Sequence, residues 1–292
     1  MRILKRILLI LFIFLFLLII FCINIDNKSS ICKDIQTSCN IETIEYDGRS
    51  IFVLTPKGEK KSDMVILYLH GGSYMGAMTN EHWNLYKDLI NDLGCTIVAP
   101  DYPLTPKYNY KDVENMMYPF YEMFVEKINT ENFVFMGDSA GGGLALSITQ
   151  KAGENNLKLP KRLILISPWL DVRLENPEID EVQKRDPVLF KPTLKLAGEI
   201  YAGDDGIDNT FVNPIDGYIG NLPEITIYTG TNDILNPDVY KFKERLNNNG
   251  INIDIRETQG AVHIWILERQ EGKEEYKAEE GYEDLVNLLN NI

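Results

Sequence analysis

The sequence predicts an α/β domain built on a mostly parallel central sheet with helices on both faces. Short apolar runs alternate with longer amphipathic stretches from residue 50 to the C-terminus, the pattern of strand–helix–strand crossovers. Those runs are apolar at successive positions, as strands covered on both faces must be. At the centre, Phe133-Val134-Phe135-Met136 leads through Gly137-Asp138-Ser139-Ala140-Gly141 into an apolar-faced helix over Leu144–Lys151. A strand that turns so tightly into a helix brings backbone against backbone, which favours residues without a Cβ.

In chain order, Ile51–Leu54 and Met64–Leu69 read as strands separated by a polar turn over Lys57–Asp63. Glu81–Leu93 reads as a helix stopped by Gly94, and Thr96–Ala99 as a short buried strand. Tyr110–Ile128 is a long helical pattern, with a kink expected at Pro119. After the central strand and helix, Leu163–Ile166 is a further strand. Ser167–Gly217 breaks the rhythm with many charges and five prolines, and suits an excursion over the sheet. Ile225–Tyr228 and Ile251–Ile255 resume the strands around a helix over Pro237–Asn247, and Glu279–Leu289 closes the chain as a helix.

The first stretch differs from the rest of the 292 residues. Ile7–Ile23 carries no charge and follows Arg2, Lys5 and Arg6. As a helix it would span roughly 26 Å, near the lower limit for a bilayer. Bulky Phe21 stands where a cleavage site needs a small residue, so an uncleaved anchor is expected over residues 1–25, with a cleaved secretory signal as the alternative. Positive charge before the run places the N-terminus inside and the remaining chain outside. Residues 26–49 are expected as a linker with a possible cap contribution, and 50–292 as the folded domain, with the cap inserted at about 168–217.

The balance of 29 basic and 43 acidic residues, a formal charge of −14, argues against nucleic acid and against electrostatic attachment to anionic lipid. The four cysteines form no C-x-x-C pair, so no metal site is expected. Cys32 and Cys39 can close a small disulfide loop in an oxidising space or stand as two thiols, and Cys95 belongs to the core. Nothing in the sequence sets an oligomeric state.

Chemistry-bearing groups gather at predicted carboxyl ends of strands, where α/β sheets hold their sites. Ser139 sits in the G-x-S-x-G turn, with the Ala140 amide free to meet a developing negative charge. His70-Gly71-Gly72-Ser73 follows a strand directly, and adjacent glycines let backbone amides point at a ligand. Asp233 follows a strand in Thr229-Gly230-Thr231-Asn232-Asp233. Among only three histidines, His70 belongs to the glycine loop and His82 reads as structural or surface, which leaves His263 as the base. A serine hydroxyl needs an imidazole to take its proton, and that imidazole needs an anion to hold its tautomer. The order Ser139, Asp233, His263 satisfies both demands.

With these motifs the chain resembles the hormone-sensitive lipase-like branch of the α/β-hydrolases, which includes bacterial carboxylesterases and arylacetamide deacetylase. The resemblance covers residue 50 to the C-terminus. It rests on His70-Gly71-Gly72, Asp101-Tyr102-Pro103-Leu104-Thr105-Pro106, Gly137 to Gly142, Ser167-Pro168-Trp169-Leu170-Asp171, Gly230 to Asp238, and His263. It implies Ser139 as nucleophile, His263 as base, Asp233 as its orienting acid, and an oxyanion hole from the amides of Gly71, Gly72 and Ala140. It also implies a cap built after Ser167 with part of residues 26–48. Ser73 replaces the family's third glycine, DYPLTPK stands for its DYRLAPE, and His263-Ile264-Trp265 for its HGF. The expectation is a membrane-anchored serine carboxylesterase that needs no cofactor or metal and acts on a small-molecule ester. Tyr74, Trp265 and Ser73 would restrict it to short acyl chains. Amide, N-acetyl or O-acetyl hydrolysis by the same groups is the neighbouring alternative, and a non-catalytic ligand binder the alternative of a different class.

Overall fold

The computed structural model describes residues 26–58, 62–269 and 275–292. The apolar run expected to be a membrane anchor lies outside these. Among the described residues no helix is long and apolar enough to cross a membrane.

Eight strands form one sheet: β1 (Cys39–Tyr46), β2 (Arg49–Pro56), β3 (Val65–Leu69), β4 (Thr96–Pro100), β5 (Phe133–Asp138), β6 (Arg162–Ile166), β7 (Glu224–Gly230) and β8 (Asp254–Thr258). Their spatial order is β1-β2-β4-β3-β5-β6-β7-β8. The six strands from β3 onward run parallel, and β1 and β2 add an antiparallel edge. Side chains of β5 divide by parity: Phe133 and Phe135 enter one core, Val134 and Met136 the other. The first core is closed by helices α3 (Tyr110–Lys127), α4 (Ser139–Glu154) and α7 (Asn236–Asn247). The second is closed by α2 (Asn80–Leu93) and α8 (Glu275–Asn290).

The chain leaves β3 toward β4 on one side and returns across β3 to enter β5. The carboxyl ends of β3 and β5 therefore meet where the strand order reverses, the crevice in which open α/β sheets hold ligands. The glycine loop at 70–73 follows β3 and Ser139 follows β5.

Two expectations need correction. Residues 26–49 are not only linker: they contain the short helix α1 (Ile35–Ser38) and the edge strand β1. The signal was present in Asp47-Gly48, whose positive φ angles of 49° and 72° make the tight hairpin turn into β2. β1 is easily missed because most of its side chains are exposed or half-buried, as an edge strand allows. The last strand is also displaced from 251–255 to 254–258, because Ile251 serves the end of α7, its amide bonding to Leu246 O at 3.0 Å. Cys32 and Cys39 are not joined by a disulfide, and Cys95 is buried in the second core.

The excursion between β6 and β7 carries α5 (Ile179–Val182) and α6 (Lys191–Ala202). Tyr201 of α6 stacks on Tyr74 with ring centroids 3.6 Å apart, so the excursion is packed onto the loop after β3.

Candidate active site

The turn from β5 into α4 holds Ser139 at φ 51°, a left-handed conformation that side chains rarely adopt. What permits it is close approach. A Cβ on Gly141 would lie 2.1 Å from Leu69 O, so only glycine lets α4 start against the end of β3. The helix dipole and its unpaired first-turn amides, Ala140 among them, then face the space above Ser139.

Asp233 and His263 arrive on the loops after β7 and β8. Asn232 N donates to Ala261 O at 3.0 Å, tying one loop to the other. Ile264 N donates to Ser167 Oγ at 3.0 Å, which fixes the histidine loop to the end of β6. His263 Nε2 lies 2.9 Å from Ser139 Oγ, and Nδ1 lies 2.9 Å from Asp233 Oδ2. The second carboxylate oxygen of Asp233 accepts the Leu235 amide at 2.9 Å. The structure thus brings together three residues separated by up to 124 positions in the chain.

Burial pushes the His263 imidazole toward lower pKa, but the charge and hydrogen bond of Asp233, with Asp138 and Asp186 beyond, carry it above its ordinary 6.5. With Asp233 ionised, the ring proton belongs on Nδ1, leaving Nε2 free to accept from Ser139.

The glycine loop departs from expectation at one position. The amide of Gly71, expected to point at the oxyanion, donates to Asp138 Oδ1 at 3.0 Å. Among the described residues the amides of Gly72 and Ser73 meet no such acceptor. His70 serves as a strut: Nδ1–H donates to Gly71 O at 2.7 Å, Tyr102 stacks on the ring at 4.4 Å, and the Tyr102 hydroxyl donates to His70 O at 2.6 Å. Burial and the neighbouring His82 lower its pKa to about 3, so it is neutral.

Sequence reasoning gave His82 no partner and Asp138 no role. Both are buried beside the loop, with His82 Nε2 3.2 Å from Asp138 Oδ1. Burial works to raise the Asp138 carboxyl, but the charge and hydrogen bond of His82 and the hydrogen bond from Tyr68 hold it below the usual range. Asp138 stood in the serine pentapeptide itself. Only the fold shows what lies around it.

A cavity of about 280 Å³ opens on Ser139 and His263, walled by Gly72, Ser73, Leu189 and Leu267. Tyr74 and Trp265, expected to crowd it, are buried elsewhere: Tyr74 against Tyr201 and Trp169, Trp265 in the core behind α8. Leu189 comes from the excursion and is tethered by Asp186. One Asp186 oxygen accepts the Val188 and Leu189 amides, and the other accepts Ile234 N beside Asp233. Among the described residues no three His, Cys, Asp or Glu side chains converge to hold a metal ion.

A family model described as alpha/beta hydrolase fold matches residues 66–267. An esterase of Acinetobacter venetianus is 28% identical over 191 residues, covering 65% of this chain and 63% of that protein. An acetyl-hydrolase of Streptomyces hygroscopicus is 26% identical over 207 residues, covering 70% of this chain and 69% of that one. The crystal structure of a hormone-sensitive lipase from a metagenome library superimposes with a TM-score of 0.79, at 21% identity over 93% of this chain and 89% of that one. The chain spans about two thirds of the length of these curated relatives, and the family model's span of 66–267 includes Ser139, Asp233 and His263. From its motifs, its sheet and the family match together, the chain belongs to the α/β hydrolase fold family.

Proposed function

We propose that this protein is a serine carboxylesterase that cleaves small-molecule esters of short acyl chains through an acyl-enzyme. The observation that carries the reading is the continuous relay from Asp233 through His263 to Ser139, with 2.9 Å at each contact. Ser139 Oγ attacks the ester carbonyl as its proton passes to His263 Nε2, and Asp233 stabilises the imidazolium that forms. The amides of Gly72 and Ala140, joined by Ser73, receive the oxyanion. Gly71 is left out because its amide is engaged by Asp138. Imidazolium then protonates the departing alkoxide, and a water repeats the sequence on the acyl-serine.

A preference for short acyl chains is supported by the cavity of about 280 Å³, below the ~300–1,000 Å³ of sites that enclose drug-sized ligands. It is also supported by the relative named an acetyl-hydrolase. A fluorophosphonate probe tests the reading: the wild-type protein is expected to be labelled and Ser139→Ala to lose both label and turnover. Substantial turnover in that variant would reject Ser139 as nucleophile.

The apolar run Ile7–Ile23 after Arg2, Lys5 and Arg6 supports attachment to a membrane by one span, with the hydrolase domain outside. Protease added to intact cells is expected to digest the domain; survival until detergent opens the membrane would reverse the orientation.

A further inference from the structure

The loop that presents the Gly72 and Ser73 amides is held in an unfavourable backbone conformation. Gly72, Ser73 and Tyr74 have successive φ angles of 114°, 54° and 60°. Non-glycine residues are unfavourable in this region and persist only where the surroundings over-determine them. At its far end the loop is closed by the Met75 and Gly76 amides, which donate to Gly72 O at 2.9 and 2.8 Å. At its near end it is closed by Asp138.

Three elements converge on one oxygen of that carboxylate. The Tyr68 hydroxyl from β3 and the Gly71 amide from the loop each lie 3.0 Å from Oδ1, and His82 Nε2 from α2 lies 3.2 Å away. The proton on Nε2 is implied by the other side of the ring, where Nδ1 accepts the Thr79 amide at 3.0 Å. The second oxygen, Oδ2, is buried without a hydrogen-bond partner. It is pressed against Gly71, where an added Cβ would lie 2.2 Å from it.

A carboxylate next to a site that must stabilise negative charge works against the reaction unless it is neutralised locally. Two hydrogen-bond donors, the Tyr68 hydroxyl and the Gly71 amide, and the His82 ring beside them do that here, so its contribution is geometric. We infer that Asp138 is a positioning residue that locks the glycine loop to β3 and α2, keeping the Gly72 and Ser73 amides aimed at the carbonyl that Ser139 attacks. The inference rests on the esterase reading and goes beyond it by giving the residue before the nucleophile a function of its own.

Asp138→Asn and Asp138→Ala separate position from charge. Asparagine keeps an oxygen where Tyr68 and Gly71 donate, while alanine removes it. Losing one oxyanion donor costs about 10²–10³ in kcat, and displacement of the loop has the same consequence. With active sites counted by the burst of the first turnover, Asp138→Ala is expected to lose about 10²–10³ in kcat with KM changed less than about threefold. Asp138→Asn is expected to stay within about tenfold of wild type. Equal activity of the two variants, or a loss confined to KM, would overturn the inference. Should Asp138→Ala fail to fold, Gly71→Ala decides, because it keeps the amide but drives a Cβ onto Oδ2; wild-type kcat in that variant would overturn the inference equally. Wild-type turnover that survives Ser139→Ala would instead refute the esterase reading beneath it.

Discussion

Replacing Asp233 by asparagine tests the site at its least visible member, and the structure sets how the new amide must lie. Asp233 Oδ1 accepts the main-chain amide of Leu235 at 2.9 Å, and Oδ2 faces His263 Nδ1 at 2.9 Å. The Leu235 amide can only donate, so asparagine must turn its oxygen there and its NH₂ toward the imidazole. Nδ1 then has to accept, the ring proton moves to Nε2, and Nε2 can no longer take the proton of Ser139. Flipping the amide restores the productive tautomer but leaves a buried donor unpaired at about 1–3 kcal/mol, so the flipped form is roughly 5–150-fold rarer. It also lacks the charge that stabilises the imidazolium. Loss of kcat should therefore lie between about 10² and 10⁴, the upper figure being the size of the tautomer effect in serine triads. The assay is kcat/KM for a short nitrophenyl ester across pH. In wild type the base must be neutral, and because Asp233 raises the folded-state pKa of His263, the acid limb should have its midpoint above 6.5. In Asp233→Asn burial remains while the charge is gone, so the residual activity should show that limb at lower pH. Retention of wild-type kcat within tenfold, or an unmoved acid limb, would refute the relay.

A panel of nitrophenyl esters from acetyl to palmitoyl should show kcat/KM falling with length; a higher value for palmitoyl than for butyryl would refute the short-acyl assignment. Asp238 offers a stability test away from the chemistry. Burial raises its carboxyl from 3.8 to about 6 despite the hydrogen bond from Asn176, and its Oδ2 has no partner among the described residues. The fold therefore binds the proton more tightly than the unfolded chain, and stability must fall as pH rises from about 4 to 6. Asp238→Asn is expected to raise the melting temperature at pH 7, by a gain on the order of 2–3 kcal/mol, and the gain should vanish below pH 4. An equal effect at both pH values would refute the ionisation argument.

Much of this protein was decided locally and is legible in its sequence. Runs such as Phe133–Met136 and Leu163–Ile166 are apolar without alternation, and their shortness and β-branched or aromatic content mark them as strands covered on both faces. The Gly137–Gly141 turn identifies its serine because a strand-to-helix turn this tight tolerates few other residues. Asp233 and His263 followed from chemical necessity and from a shortage of histidines. Edge strand β1 was legible in principle through Asp47-Gly48, yet its exposed side chains carry little hydrophobic signal.

What the tertiary structure alone decided depends on groups that only distant elements can bring together. The Gly71 amide looked free in sequence, and its acceptor is a carboxylate 67 residues away. Tyr74 and Trp265 looked like walls of the cavity because they neighbour its residues in the chain, but their side chains turn into the core, while Leu189 reaches in from the excursion. Asp138 and His82 carry no motif that pairs them. Periodicity records which face of an element is buried and a motif records local backbone geometry. Neither contains the three-dimensional neighbourhood in which a buried carboxylate finds its donors, because that is set by how β3, β5 and α2 pack.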